Sequence, residues 1–462
     1  MLSYDVRVWG IRANKGMRRT TYTLRWFVFG RVFSKTYVTK ALAENRRAEL
    51  IAALRRGEPF DKQHGLPESE IRLRLTSVTF YAHAQEFMDM KWPALQPGSR
   101  RSLAGALATI TLALVDTRDS APDHSAGFRA LTTWGYNKQA RAAGKPREQH
   151  AGVIAWIERH SLPVAALTDP KVARAAYNAT TTSHDGKSFE ANTHRNKMKG
   201  LSGAIKYAIE LGRLTTNPMD RISTSPPRKV VTVDRRVVVN PAQARVLLSR
   251  VAEQGPTGPR LVAFFAVMYF AGLRPAEVLA LRIQDCTLPK TGWGELTFAE
   301  SSPYAAPIWT DNGEDSPRKS LKHRAKQESR TVPACPELIR HIRAHAEQFG
   351  IAPDGRLFTS TAGGKLRYAT FANIWSRTRA AALTKAQAAS PLAGRPYDLR
   401  HAAVSTWLNA GVAAPQVAEW AGHSVQTLLS TYAKCIDGQE EQNRKRIEKA
   451  LEWTEPEPDP DD

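Results

Sequence analysis

Cysteine is nearly absent from the sequence. Three of the 462 residues are cysteine, namely Cys286, Cys335 and Cys435. A disulfide framework needs an even set of cysteines, and a structural zinc site needs cysteine and histidine at short, regular spacings. The odd number and wide spacing therefore predict neither a disulfide framework nor a zinc site, and we expect ordinary free thiols.

Long apolar runs and targeting signals are also missing. No segment stays apolar and uncharged over the roughly 20 residues that a membrane-spanning helix needs. The first residues lack the charged and apolar regions of a signal peptide, and neither end carries a lipidation motif. We therefore expect a cytosolic protein that does not enter a membrane.

Acidic residues are scarce relative to basic ones. The chain contains 66 Lys and Arg against 44 Asp and Glu, which gives a formal net charge of +22. Such an excess is self-repulsive unless a polyanion neutralises it, so nucleic acid is the leading partner class. Hydrophobic residues still make up 42% of the chain, enough for packed cores. Because single cores stop growing at roughly 250–300 residues, we expect two or three domains.

Residues 1–70 predict a small β-sheet domain. Strand patterns at 22–29 and 32–38 flank Gly30 and indicate a hairpin, and residues 41–56 have the pattern of a helix. A small basic sheet on one helix is too little for an enzyme. It favours DNA binding over a purely structural role.

A helical domain is predicted for residues 75–223. Apolar residues recur at helical spacing from Phe80 to Met88. A second helix, predicted over 194–214, carries lysines and arginines beside an apolar stripe, and it could lie along a phosphate backbone. For any single lysine, a solvated helix face is the better explanation. Residues rich in Pro, Ser and charge then place the main domain boundary between 223 and 236.

Residues 236–452 predict a third domain. Asn240 followed by Pro241 is typical of a helix start. Beyond them we expect an apolar helix, three short strands and a mainly helical remainder, at 261–271, 294–299, 306–310, 329–332 and 336–450. The acidic, proline-broken residues 453–462 predict a disordered tail. The fold class is therefore multidomain, mainly α with small β-sheets.

Four residues stand where site chemistry is expected. Arg274 lies at a helix junction, where a side chain can project beside free backbone N–H groups and meet a phosphate. Arg400, His423 and Tyr432 follow in one compact helical region, and Gly422 is expected to end a helix in a left-handed cap that exposes the histidine. Taken singly, Arg274 is better explained as a capping residue and Tyr432 as a core tyrosine. The ordered set of four in a basic protein outweighs these simpler explanations.

The ordered set resembles the tyrosine recombinase (phage integrase) family. That family's C-terminal domain carries a Gly-Leu-Arg box, a hairpin lysine, a His-x-x-Arg box, a Gly-His dipeptide and a nucleophilic tyrosine. The resemblance implies an α+β catalytic domain at 236–452, a helical core-binding domain at 75–223 and an arm-type DNA-binding domain at 1–70. It implies a site-specific recombinase that cleaves and rejoins double-stranded DNA at attachment sites, integrating or excising a mobile element without cofactor or metal. A homotetramer on DNA, accessory directionality or bending proteins and association with the nucleoid are implied as well.

The resemblance also implies roles for individual residues. Arg274 and Arg400 would clamp the scissile phosphate and stabilise its transition state, because guanidinium groups bind phosphate in a bidentate manner. His423 would donate a hydrogen bond to a phosphate oxygen. Tyr432 would attack phosphorus and form a 3′-phosphotyrosine, leaving a free 5′-hydroxyl.

The proton donor and the base are less well defined by the sequence. Lys322 is the candidate general acid for the leaving 5′-oxygen, with Lys326 as the alternative because the predicted hairpin is long. Tyr397 stands where the family usually has the first histidine of His-x-x-Arg, and a phenol is a poor base near neutrality. Tyr397 could still hydrogen-bond the phosphate. His401 is adjacent to an arginine of the set, and neighbouring residues on a helix do not share a face, so it is not selected.

Two alternative functions remain at this point. A type IB topoisomerase-like enzyme would relax DNA with the same chemistry but without exchanging partners; the additional N-terminal modules argue for the recombinase. A non-catalytic DNA-binding protein on a recombinase scaffold is supported only by Tyr397, and the intact set of Arg274, Arg400, His423 and Tyr432 argues against it.

Overall fold

The structure is a computed structural model that describes most of the chain. The described residues are 2–16, 19–118, 120–227, 232–298, 300–303, 305–314, 319–320, 329–435 and 440–451. The chain divides into two compact units, Met1–Lys229 and Val230–Asp462, and this division lies between residues 223 and 236. The tail predicted at 453–462 lies outside the described residues. No described helix is both long and apolar enough to cross a membrane.

The first unit begins with an antiparallel sheet backed by a helix. The strand Thr20–Val28 pairs with three others, Val6–Val8, Arg12–Lys15 and Arg31–Tyr37. Gly30, at φ 80°, lies in the turn of the hairpin, which confirms the predicted turn. The helix Lys40–Arg55 contributes Leu50 and Ala53 to a core shared with Leu24 and Trp26 of the sheet. The strands Leu2–Ser3 and Phe60–Asp61 pair separately.

Helices make up the rest of the first unit. Those described are Glu68–Ser77, Phe80–Lys91, Pro97–Ala113, His124–Ala130, Lys138–Ala142, Glu148–His160, Pro170–Thr181 and Ala191–Glu210. The apolar face that the sequence predicts between Phe80 and Met88 is buried. The basic helix predicted at 194–214 is also present, although it begins and ends a few residues earlier.

The second unit is a helical domain with a small sheet. Its described helices are Pro241–Ala252, Gly258–Phe270, Pro275–Ala280, Pro336–Phe349, Tyr368–Ala382, Lys385–Ala389, Asp398–Asn409, Ala414–Ala421, Val425–Tyr432 and Glu440–Ala450. The predicted start at Asn240 and Pro241 is confirmed, because Asn240 Oδ1 accepts a hydrogen bond from the Gln243 N–H at 2.8 Å. Phe264, Phe265 and other apolar side chains of the first helices form a core that includes Trp375.

The sheet of the second unit differs from the prediction at one point. Gly294–Phe298 pairs with Cys286–Thr287 on one side and Arg330–Ala334 on the other. Two of the three predicted strands are therefore present. The third prediction, at 306–310, is wrong: Pro307–Trp309 is a 3₁₀ turn, in which proline occupies a first-turn position and supplies no N–H for strand pairing. The strands Glu300–Ser301 and Lys319–Ser320 form a separate pair.

Candidate active site

Arg274 is fixed at the start of a short helix. It occupies the N-cap position of Pro275–Ala280, and its backbone N–H donates to Glu277 Oε2 at 2.9 Å. Its Nη1 donates to Glu277 Oε1 at 2.8 Å, and its Nη2 donates to the Gly422 carbonyl at 3.0 Å. The side chain retains 23% of its exposure. Arg274 is therefore both a capping residue and a partly accessible cation.

Glu277 joins three arginines in one buried cluster. Its carboxylate is only 2% exposed and lies 2.9 Å from Arg330 Nη2 and 4.0 Å from Arg400 Nη1, in addition to Arg274. Burial raises the pKa of Glu277, but Arg330, Arg274 and Arg400 outweigh this effect and bring that pKa to about 2. The carboxylate is therefore ionised at neutral pH. We call Arg274, Glu277, Arg330 and Arg400 the arginine cluster; its three guanidinium groups and one carboxylate leave two positive charges.

Arg400 links the helices around the cluster. Its side chain is fully buried on the helix Asp398–Asn409. The guanidinium donates to the carbonyls of Gly272 and Ala421, each at 2.5 Å, and its Nη2 lies 2.9 Å from His423 Nε2. Burial and the neighbouring Arg274 lower the pKa of Arg400, although a guanidinium remains protonated in proteins. Its Nε has no partner among the described residues.

His423 follows a left-handed helix end, as the sequence predicts. Gly422 has φ 59° and ψ 50°, and an added Cβ would lie 2.1 Å from Arg330 Nη1, so glycine is required there. Burial, Arg400 and other cluster arginines bring the pKa of His423 to about 3, which leaves the ring neutral. Because Arg400 donates to its Nε2, the neutral ring carries its hydrogen on Nδ1. That buried Nδ1 has no partner among the described residues.

Tyr432 contacts a histidine that the sequence did not single out. Tyr432 is fully buried at the end of the helix Val425–Tyr432, and its hydroxyl oxygen lies 2.8 Å from His401 Nδ1. Burial raises the pKa of Tyr432, so the phenol is protonated at neutral pH. Tyr397 stands edge-on to the His401 ring, with ring centroids 5.1 Å apart. The candidate nucleophile, Tyr397 and His401 are thus side by side.

Most of the predicted site residues lie close together in the structure, next to three residues that were not predicted. Arg274, Arg400, His423 and Tyr432 lie together, whereas Lys322 and Lys326 lie outside the described residues. Glu277, Arg330 and His401 were missed. Glu277 follows Arg274 at the spacing of an N-cap and the third helical residue, and that signal was readable. His401 is one helical turn beyond Tyr397, which also predicts a shared face.

The described residues contain no group of three or more His, Cys, Asp or Glu side chains arranged to hold a metal ion. The arginine cluster instead contacts His423, whose ring is stacked on that of Tyr432 with centroids 6.3 Å apart. The partly exposed Tyr397 and His401 lie beside the same hydroxyl. This arrangement can bind an anionic group beside a hydroxyl.

Comparison with known proteins gives a family match and several distant structural matches. No curated protein matches the chain. Among solved structures, a Tn1549 transposon integrase in complex with a circular intermediate DNA matches at 17% identity and a TM-score of 0.46, covering 68% of this chain and 97% of that one. XerH site-specific recombinase bound to difH substrate matches at 14% identity and a TM-score of 0.46, covering 81% and 96%. A lambda integrase dimer bound to a COC′ core site matches at 16% and 0.39, covering 70% and 78%.

These structural similarities are distant, and no residue role is transferred from them. The family assignment depends on the sequence model of the phage integrase family, which matches residues 238–437. This range contains the arginine cluster, His423, Tyr432 and His401. Residues 238–437 of this chain are a domain of the phage integrase family, the tyrosine recombinases.

Proposed function

We propose that the chain is a site-specific DNA recombinase that cleaves and rejoins duplex DNA through a 3′-phosphotyrosine at Tyr432. The observation that carries the proposal is the pairing of a hydroxyl with surplus positive charge. The arginine cluster has two net positive charges, and its Arg400 lies 2.9 Å from His423, whose ring centroid is 6.3 Å from that of Tyr432. A phosphodiester carries one negative charge and gains another in its transition state. A fixed, buried cationic site stabilises that gain more than it stabilises the ground state.

Each candidate residue has a role that fits its contacts. Arg274, partly exposed and anchored by Glu277, meets the scissile phosphate first. Arg400 supplies buried charge and fixes the tautomer of His423. His423 donates from Nδ1, which has no described partner, to a phosphate oxygen. Tyr397 lies close enough to Arg274 to raise the pKa of that guanidinium, and it is proposed to hydrogen-bond the phosphate.

The leaving 5′-oxygen needs a proton from outside the arginine cluster, since guanidinium groups do not give one up near neutrality. Lys322 is the proposed donor, with Lys326 as the alternative. Retaining the bond energy in the phosphotyrosine makes ATP unnecessary.

The N-terminal sheet is proposed to add DNA affinity as an arm-type domain at 1–70, followed by a core-binding domain at 75–223. Residues of one sheet face alternate with the buried ones, and that open face carries exposed Arg7, Arg12 and Arg25. It is the side away from the packed helix, whose partners Leu24 and Trp26 point inward. The proposed role is that of a mobile-element recombinase. It acts on attachment sites in double-stranded DNA as a homotetramer, together with accessory directionality or bending proteins.

The test is covalent trapping. Cells that carry the gene are lysed under denaturing conditions, and the DNA that stays attached to the protein is sequenced to define the cleaved site. A nicked duplex of that sequence then lets the short cleaved strand diffuse away. We expect a protein attached to a 3′ end, with the adduct on the peptide that contains Tyr432. Absence of an adduct would favour a non-catalytic DNA-binding protein, and relaxation of plasmid without strand exchange would favour a topoisomerase-like activity.

A further inference from the structure

The hydroxyl of Tyr432 and the ring of His401 form a direct contact that the proposed roles leave unused. His401 Nδ1 lies 2.8 Å from Tyr432 Oη, and the two rings are 5.6 Å apart. Tyr397 occupies the position of the usual family histidine, but it lies close enough to Arg274 to raise the pKa of that guanidinium. A neutral phenol is a poor proton acceptor for a second phenol, because it must lose its own proton before it can act as a base.

We infer that His401 is the general base that takes the proton of the Tyr432 hydroxyl, one helical turn beyond the position where this domain family usually carries its histidine. This inference rests on the proposed function. As the Tyr432 oxygen forms its bond to phosphorus, the hydroxyl proton passes to His401 Nδ1, and the phosphorus–5′-oxygen bond breaks. The 5′-oxygen receives its proton from the general acid, proposed as Lys322. On rejoining, the 5′-hydroxyl attacks phosphorus and returns its proton to the general acid. The bond between phosphorus and the Tyr432 oxygen breaks, and the His401 imidazolium returns its proton to that oxygen.

The surroundings keep His401 ready to accept a proton. Burial, Arg400 and Arg395 bring its pKa to about 4, so the ring is neutral at pH 7. The other titratable groups that face it are Tyr397 and Tyr432. A base with so low a pKa is weak, but Arg400 belongs to the cluster that is proposed to bind the phosphate. Negative charge on the bound phosphate offsets these guanidinium groups, and His401 then becomes a stronger base when DNA is bound.

Two substitutions separate proton transfer from positioning. His401→Asn keeps a hydrogen-bond acceptor close to the place of Nδ1 but cannot take a proton, and His401→Ala removes both. The rate of adduct formation on the nicked duplex should fall by about 10²–10⁴-fold in each variant. The wild-type rate should be flat above the pKa that His401 has in the DNA complex. The His401→Asn rate should rise tenfold per pH unit, because the phenol must then ionise unaided.

Further measurements test whether each variant is folded and whether the effect is specific to His401. Thermal denaturation and DNA binding show whether each variant is intact, and imidazole added to His401→Ala should restore part of the rate. Tyr397→Phe should slow the reaction less and leave the shape of the pH profile unchanged. Wild-type speed in folded His401→Asn, or a pH profile that stays flat in that variant, would overturn the role of His401. Failure of the wild-type protein to form an adduct at Tyr432 would instead overturn the proposed function, and the inference with it.

Discussion

The molecule carries arginine in two contrasting settings. On the open face of the N-terminal sheet, Arg7 and Arg25 are exposed and lie over aromatic rings, 5.9 Å from Phe27 and 5.4 Å from Trp9. In the arginine cluster, Arg330 and Arg400 are 2% and 0% exposed and are held by a carboxylate or by carbonyls. Exposed cations supply affinity for a polyanion in many geometries, whereas buried and fixed ones can stabilise charge at a single point.

This contrast predicts different losses when each region is altered. Changes in the arginine cluster or at the Tyr432 hydroxyl should affect the chemical step or the fold. They should leave the long-range attraction to DNA intact. Changes on the sheet should affect affinity and its salt dependence, and leave the chemical step intact.

The largest effect is expected for Tyr432→Phe. Only a hydroxyl is lost and the packing volume is kept, so folding and DNA binding should persist. Adduct formation should be abolished, because that oxygen forms the bond to phosphorus. A denaturing gel of the protein bound to the nicked duplex measures this. Tyr368→Phe, at an exposed tyrosine, is a matched control that should cleave normally. An adduct formed by Tyr432→Phe would show that Tyr432 is not the nucleophile.

Loss of the leaving-group proton is the next largest effect. Lys322→Ala should slow cleavage by about 10²–10⁴-fold while binding is nearly unchanged. A 5′-bridging phosphorothiolate, whose sulfur leaves without protonation, should restore the rate. If Lys326→Ala shows that rescue and Lys322→Ala does not, Lys326 is the general acid.

Glu277→Gln tests the cluster itself. It leaves three guanidinium groups without their carboxylate, and breaking such a buried pair costs about 3–5 kcal/mol of unfolding free energy. Glu337→Gln is the matched control: that carboxylate pairs with Arg245 at the surface, at 2.8 and 2.9 Å, and should cost at most about 1 kcal/mol. Urea denaturation at pH 7 measures both. Similar small losses in the two variants would show that the cluster is not held by Glu277.

The pKa of Glu277 also predicts how the difference in unfolding free energy between wild type and Glu277→Gln depends on pH. The pKa of Glu277 is lowered from 4.5 to about 2 in the folded protein, so its stabilising effect is complete above about pH 4.5. It is lost as the pH falls through about 2, because the protonated acid resembles glutamine. The stability gap between wild type and Glu277→Gln should therefore close in acid. A gap that persists at pH 2 would attribute the loss to packing.

The turns and helix ends that were predicted correctly are determined by residues close together in the chain. The hairpin at Gly30, the helix start at Asn240 and the left-handed end at Gly422 are each set by residues a few positions apart, and all are confirmed. The strand predicted at 306–310 is wrong because Pro307 supplies no N–H for strand pairing and begins a 3₁₀ turn. Here a single residue, Pro307, determines the local structure.

Contacts between distant segments could not be predicted in this way. Arg330 reaches Glu277 across the chain, and His401 reaches Tyr432 from another helix. His401 is not selected from the sequence because it is adjacent to Arg400, and neighbouring residues on a helix face different directions. That statement is correct, but the site lies between the two faces: Arg400 points to Gly272 while His401 points to Tyr432. Only the packing of the helices reveals this.

The smallest effect is expected on the sheet. Arg25→Ala removes one exposed cation from the open face, whereas Lys40→Ala removes one from the helix behind it, where Lys40 is 3.3 Å from Glu44. If the open face binds DNA, Arg25→Ala should lower the slope of log affinity against log salt by about one, while Lys40→Ala leaves it unchanged. The wild-type affinity should itself fall by about 10³-fold or more between roughly 50 and 200 mM salt, since several phosphates are contacted. Cleavage of saturated DNA should be equal in all three proteins, because no group of the cluster is altered. Equal slopes for the two variants would remove the sheet from the DNA interface, and slower cleavage by Arg25→Ala at saturation would show that exposed and buried arginines are not divided between affinity and chemistry.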